Sequence, residues 1–109
     1  MKIHNYNFKY WYFDNQKERM SFKDINARSL LLMEKLGMKV VNECHYIFND
    51  ESENTGVLLL STSHFAWHTF PEMNHIAFSF STCSEKPPTI GELMEYGKTI
   101  FECDGVSPN

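Results

Sequence analysis

The chain is short of the features that mark several functional classes. It has no basic run, and 10 Lys and Arg against 14 Asp and Glu leave a net charge of −4. A nucleic-acid backbone is therefore excluded as the expected partner. No apolar stretch approaches the roughly 20 residues that span a bilayer, so no membrane partner is expected. The segment from Met1 to Tyr10 is polar and aromatic and lacks the apolar core of a signal peptide, which makes the cytoplasm the expected location. The three cysteines, Cys44, Cys83 and Cys103, are odd in number and form no C-x-x-C pair. That argues against a disulfide framework and against a zinc site. Glycine is scarce too: there are five, and none lies between Gly56 and Gly91. A G-x-S-x-G nucleophile elbow, and with it an ordinary serine hydrolase, is excluded.

At 109 residues the chain has the size of one domain, 1–109, with no linker or repeat. A domain this small buries a modest share of its surface, so a homodimer interface would help it. Aromatic residues make up 15% of the chain and suit either a core or a pocket for a flat ligand. Ile3 to Phe13 reads as a strand, rich in Tyr, Phe and Trp. Ser21 followed by Asp24 reads as a capping box that opens a helix. Ile25, Leu31, Leu32 and Leu36 are spaced for its buried face, and Gly37 stops it. Met38 to Phe48 reads as a second strand, Asn49 to Asn54 as a turn, the apolar run Gly56 to Leu60 as a buried strand, and Asn74 to Cys83 as a fourth strand. After Pro87 and Pro88, Thr89 with Glu92 opens a helix over about Ile90 to Phe101. Asp104 to Asn109 reads as a frayed tail. The order β-α-β-β-β-α predicts an α+β fold: a two-layer sandwich with two helices on one face of an antiparallel sheet.

The chemistry is concentrated in Ser61-Thr62-Ser63-His64-Phe65-Ala66-Trp67-His68-Thr69-Phe70-Pro71-Glu72, which packs hydroxyls, imidazoles and a carboxylate together behind a buried strand. Cys83 lies twenty residues beyond Ser63, at the end of the next strand, and antiparallel pairing can carry it back toward Ser63.

This segment resembles the processing site of the prokaryotic S-adenosylmethionine decarboxylase proenzymes, whose motif runs E-S-H-x-x-x-H-T-x-P-E and is followed by a strand ending in T-C-G. Ser63-His64, His68-Thr69, Pro71-Glu72 and Thr82-Cys83 fit it with the family's spacing. Thr55-Gly56 and the apolar Val57 to Leu60 resemble the family's approach to the cleavage site. The resemblance implies a self-processing, pyruvoyl-dependent decarboxylase. The bond Thr62–Ser63 is cut, giving a β chain 1–62 and an α chain 63–109. Ser63 becomes the pyruvoyl group, which takes the substrate amine as a Schiff base and acts as the electron sink, with no metal and no pyridoxal phosphate. His68 assists processing by proton transfer, with Thr55 as a hydroxyl helper. Cys83 is the proton donor in decarboxylation. Glu72 binds the ribose hydroxyls of S-adenosylmethionine, Phe48 stacks on its adenine, and the enzyme is a homodimer feeding spermidine synthesis.

The sequence departs from the family pattern at Thr62, usually glutamate, at Ser84, usually glycine, and at Ser79, usually aspartate. These departures bear on the substrate more than on the fold. A pyruvoyl decarboxylase of arginine or ornithine is one alternative, and an uncleaved member with a binding or regulatory role is another. Singly, each residue has a plainer reading: a turn serine at 63, a structural histidine at 68, a small buried thiol at 83, a surface turn at 72. The joint spacing is what favours chemistry. Cys44, Cys103, His4, His45 and His75 read as structural. His64 and His68 are four apart, as in H-E-x-x-H metal sites on helices, but Pro71 and the apolar run before the segment disfavour a helix there.

Overall fold

The computed structural model describes residues 2–109. Its elements in chain order are β1 (His4–Trp11), α1 (Phe22–Lys35), β2 (Val40–Ile47), β3 (Asn54–Leu60), β4 (Ser63–Phe70), a single 3₁₀ turn (Pro71–Met73), β5 (His75–Thr82), α2 (Ile90–Ile100) and β6 (Gly105–Pro108). The strands form one sheet in the order β2-β3-β4-β5-β1-β6, antiparallel throughout. The fold is the expected α+β sandwich. The expected order of elements is retained, and two strands join it: β4 within it and β6 after it.

Both helices form where the caps allow. The Ser21 side chain accepts from the Asp24 amide at the start of α1, and Gly37, at φ 71°, ends it in the left-handed conformation that costs glycine least. Thr89 and Glu92 cap α2 reciprocally, each bond at 3.0 Å. On α1 the buried face is Ile25, Ser29, Leu32 and Met33. Leu31, expected there, is exposed. Six residues on from Ile25, it falls well off that face, which Ser29 and Met33 fill instead.

Both helices cover the same face of the sheet. Ile25, Leu32, Met33, Leu93 and Ile100 share one cluster with Phe8, Tyr10, Phe65, Trp67, Phe78 and Phe80. The aromatic wealth of β1 and the residue after it has a specific use. Tyr6, Tyr10 and Tyr12 bury their rings to differing degrees and spend their hydroxyls on the carbonyls of Pro88, Leu93 and Phe101, at 2.7, 2.8 and 2.8 Å. Gly97 lets α2 approach closely, since a Cβ there would fall in the Tyr10 ring.

The other face of the sheet is uncovered. Along β4 the side chains alternate, with Phe65 and Trp67 buried and His64 and His68 exposed. β3 alternates as well: Leu58 and Leu60 are buried and Leu59 is 50% exposed, so the apolar run is not buried on both sides. The tail is likewise ordered, because β6 pairs with β1 and the Trp11 ring occupies the space beside Gly105.

Asn54, expected in a turn, starts β3 and is 1% exposed. Its amide nitrogen donates to the carbonyls of Met20 and Glu51, both at 2.8 Å, and its oxygen accepts the Trp67 indole N–H at 2.8 Å. A Cβ on Gly56 would fall within that indole. Asn54→Ala should lower the unfolding free energy by about 2–3 kcal/mol, because buried partners lose their bonds. Gly56→Ala should cost about 1–3 kcal/mol by overpacking. Urea denaturation of both variants checks this, and changes below about 0.5 kcal/mol, the range of an ordinary surface substitution, would contradict it.

Candidate active site

Ser61 and Thr62 form the two-residue connection between β3 and β4, with Leu60 and Ser63 paired at its base. Ser63 also pairs with Thr82 of β5, which leaves Cys83 beside the connection. The backbone N–H of Cys83 donates to the Thr62 carbonyl at 3.2 Å, and its thiol donates to the same oxygen at 3.2 Å. The carbonyl of the Thr62–Ser63 peptide therefore holds two donors from a single residue. The Thr62 and Thr82 hydroxyls lie 3.2 Å apart, which fixes the connection against the end of β5. Ser63 Oγ has one long contact, 3.4 Å to His64 Nδ1, beyond the usual length for a hydroxyl bond. The serine oxygen is thus largely free while the neighbouring carbonyl is polarised.

A second group lies at the other end of the same strands. Thr55 pairs with His68 across β3 and β4, and Thr55 Oγ1 is 2.8 Å from His68 Nδ1. The Thr55 hydroxyl already donates its only hydrogen to the Trp67 carbonyl at 2.9 Å, so it can only accept from the ring. Neutral His68 is therefore protonated at Nδ1, and Nε2 carries the free lone pair. Thr55, His68 and Tyr46 border a cleft of about 340 Å³ on the uncovered face. Glu72 is exposed in the 3₁₀ turn just past β4, and Phe48, just past β2, is 58% exposed. Nearby, His75 stacks on Phe70, and desolvation, aided by the Lys9 charge, holds its pKa below the ordinary imidazole value.

The expected site residues thus form two groups. Thr62, Ser63 and Cys83 come together, as do Thr55 and His68, with Phe48 and Glu72 at the same end of the sheet as that pair. The groups do not meet within one chain. His68 lies five positions along β4 from Ser63, about 17 Å at the rise of a strand, and an odd spacing puts the two on opposite faces. That spacing is visible in the sequence, but only once the segment is recognised as a strand. The cysteines differ sharply: Cys44 is exposed, Cys83 half-buried and Cys103 buried. Burial pushes the Cys103 thiol up to about 11, which makes it a core residue and a poor nucleophile.

The S-adenosylmethionine decarboxylase family model matches residues 17–107. Among solved structures, the fold matches that of the adenosylmethionine decarboxylase from Aquifex aeolicus VF5, with a TM-score of 0.76 at 21% identity, over 98% of this chain and 85% of that one. No curated protein matches the sequence.

The bond between Thr55 and His68 gives a direct test. In Thr55→Val the ring loses its acceptor, so the nitrogen shifts of His68 should move from the fixed Nδ1–H form toward a mixture of tautomers. Thr55→Ser should keep the wild-type pattern. Imidazole ¹⁵N spectra report this, and unchanged shifts in Thr55→Val would contradict the assignment.

Proposed function

The chain belongs to the S-adenosylmethionine decarboxylase family, and on that footing we propose that it cuts its own backbone at Thr62–Ser63 and decarboxylates S-adenosylmethionine with the pyruvoyl group so formed. The observation that carries this reading is the convergence of the Cys83 amide and thiol on the Thr62 carbonyl. Ser63 Oγ attacks that carbonyl carbon. Negative charge gathers on the oxygen that Cys83 already contacts, where preorganised donors are most effective. The C–N bond breaks, the serine nitrogen becomes an amine, and Thr62 is left as an ester on Ser63. Loss of the Ser63 α-proton then expels the Thr62 carboxylate, which ends the 1–62 chain. Water displaces ammonia from the residue that remains, leaving the pyruvoyl group at the head of the 63–109 chain.

The chain's own groups fit that product. The pyruvoyl carbonyl supplies a sink for the electron pair released when CO2 departs. Scission frees the Cys83 thiol from the Thr62 carbonyl and leaves it beside the new chain end, poised to return a proton to the substrate's α-carbon. His68, with Nε2 unprotonated, is suited to accept the Ser63 α-proton during processing.

Within one chain His68 is too far from Ser63 for that transfer, and this supports a homodimer. The uncovered face carries Val57, Leu59 and Ala66, an apolar strip that a second sheet would cover. A two-fold axis running across the strands reverses one sheet over the other. The Thr55–His68 end of one copy then faces the end of its mate's sheet where the β3–β4 connection carries the Thr62–Ser63 bond, a backbone site at the sheet's edge that is reached from either face, with Glu72 near enough to take the ribose and Phe48 the adenine.

Intact-mass analysis of the purified protein should give two fragments divided at 62/63, while Ser63→Ala should stay a single chain of 12.8 kDa. A wild-type chain that stays whole on long incubation contradicts the proposal and favours the uncleaved binding or regulatory role. Cys83→Ala should slow cleavage at least about tenfold, since one of two oxyanion donors is lost. Glu72→Gln should raise KM for S-adenosylmethionine. If it does not, a substrate without a ribose, such as arginine or ornithine, is the better reading.

A further inference from the structure

Cys83 lines a cleft of about 450 Å³ together with Lys2, His4, Ser84 and Glu85. Strand pairing explains the grouping. His4 is opposite Thr82 on β5, and Thr82 is opposite Ser63 on β4, so the start of β1 reaches the site from the side away from β3. Lys2 and Glu85 are exposed, and His4, Cys83 and Ser84 are half-buried. Apart from the thiol, nothing in the processing chemistry uses these side chains.

Resting on the decarboxylase reading, we infer that this cleft is the subsite for the amino-acid end of the substrate, and that Lys2 and His4 select for its carboxylate. The case follows from connectivity. If Cys83 protonates the α-carbon, that carbon must come within reach of the thiol. The carboxylate is bonded to the same carbon, so it enters the same cleft. There it meets an ammonium on Lys2 and an imidazole donor on His4. Glu85, the acidic member, complements the substrate's ammonium before that nitrogen reacts. The cleft thus has a charge of each sign for a zwitterion. Contacts to the carboxylate formed in the bound substrate and still present in the transition state hold the two alike, so they set KM and leave kcat. The decarboxylated product carries no such group and does not draw on them.

Steady-state kinetics of the cleaved enzyme with S-adenosylmethionine, and with the decarboxylated product as inhibitor, test the assignment in Lys2→Met and His4→Gln. Each should raise KM about three- to fivefold, the scale of an exposed charge contact. In both, kcat and the inhibition constant of the product should stay near wild type. Lys2 is exposed at the start of the chain, so Lys2→Met should fold even if His4→Gln does not. Unchanged KM in Lys2→Met overturns the subsite, as does a parallel rise in KM and the product's inhibition constant. A wild-type chain that neither cleaves nor turns over defeats the decarboxylase reading itself, and the subsite with it. Normal wild-type turnover with an unaltered KM in Lys2→Met defeats the subsite alone.

Discussion

The indole of Trp67 lies in the space that a side chain on Gly56 would need, and its N–H is bonded to Asn54 Oδ1 at 2.8 Å. This interaction holds β3 and β4 in a single register. A slip of one residue would turn every side chain of β4 to the opposite face. The register sets Thr55 across from His68 and Leu60 across from Ser63. It therefore fixes both the tautomer of His68 and the short connection that presents the Thr62 carbonyl. Asn54 extends the constraint into the loop before α1 and the turn after β2 through the carbonyls of Met20 and Glu51. The chemistry rests on a glycine, an asparagine and a tryptophan, none of which takes part in it.

Much of this was legible in the sequence where signals were local. Ser21 and Thr89 mark the helix starts because a capping side chain leaves its trace within four residues. The alternation of Ile76, Phe78 and Phe80 gives the inner face of β5. Two elements were hidden for opposite reasons. The residues of β4 include two histidines and two hydroxyls, so the alternation of Phe65 and Trp67 does not stand out as a strand pattern. Gly105–Pro108 has too little apolar content to declare itself, and it is ordered by pairing with β1, a partner nearly a hundred residues away. Asn54 reads as a turn residue by type. Its burial depends on Trp67 and on the Met20 carbonyl, which no local window contains. Ser63 and Cys83 were legible as a pair because one strand and its return determine their meeting. The separation of Ser63 from His68 was not, because it depends on knowing that the five intervening steps are extended backbone.

The open face of the sheet and the two groups of polar residues bear on each other. Two helices are enough to cover one face, and the described residues form no third α-helix to place on the other. The side left bare carries small and branched apolar residues between the histidines. A lone domain would gain by replacing these with polar side chains. In the proposed dimer the same strip buries itself and unites what each chain holds apart: a bond to be broken at one end, and a base with ligand-binding side chains at the other.

The strand order β2-β3-β4-β5-β1-β6 takes on a different meaning under the proposed division at residue 62. β1, β2 and β3 fall in one piece and β4, β5 and β6 in the other. Yet β1 lies between β5 and β6, and β3 lies against β4. The two pieces are dovetailed: neither can leave without stripping a strand from the middle of the sheet. The proposed cut would remove a covalent link only where the hydrogen-bond ladder already spans the gap. With the chain so divided, the unfolding of one molecule would become a dissociation, and recovery from it a bimolecular encounter that dilution opposes.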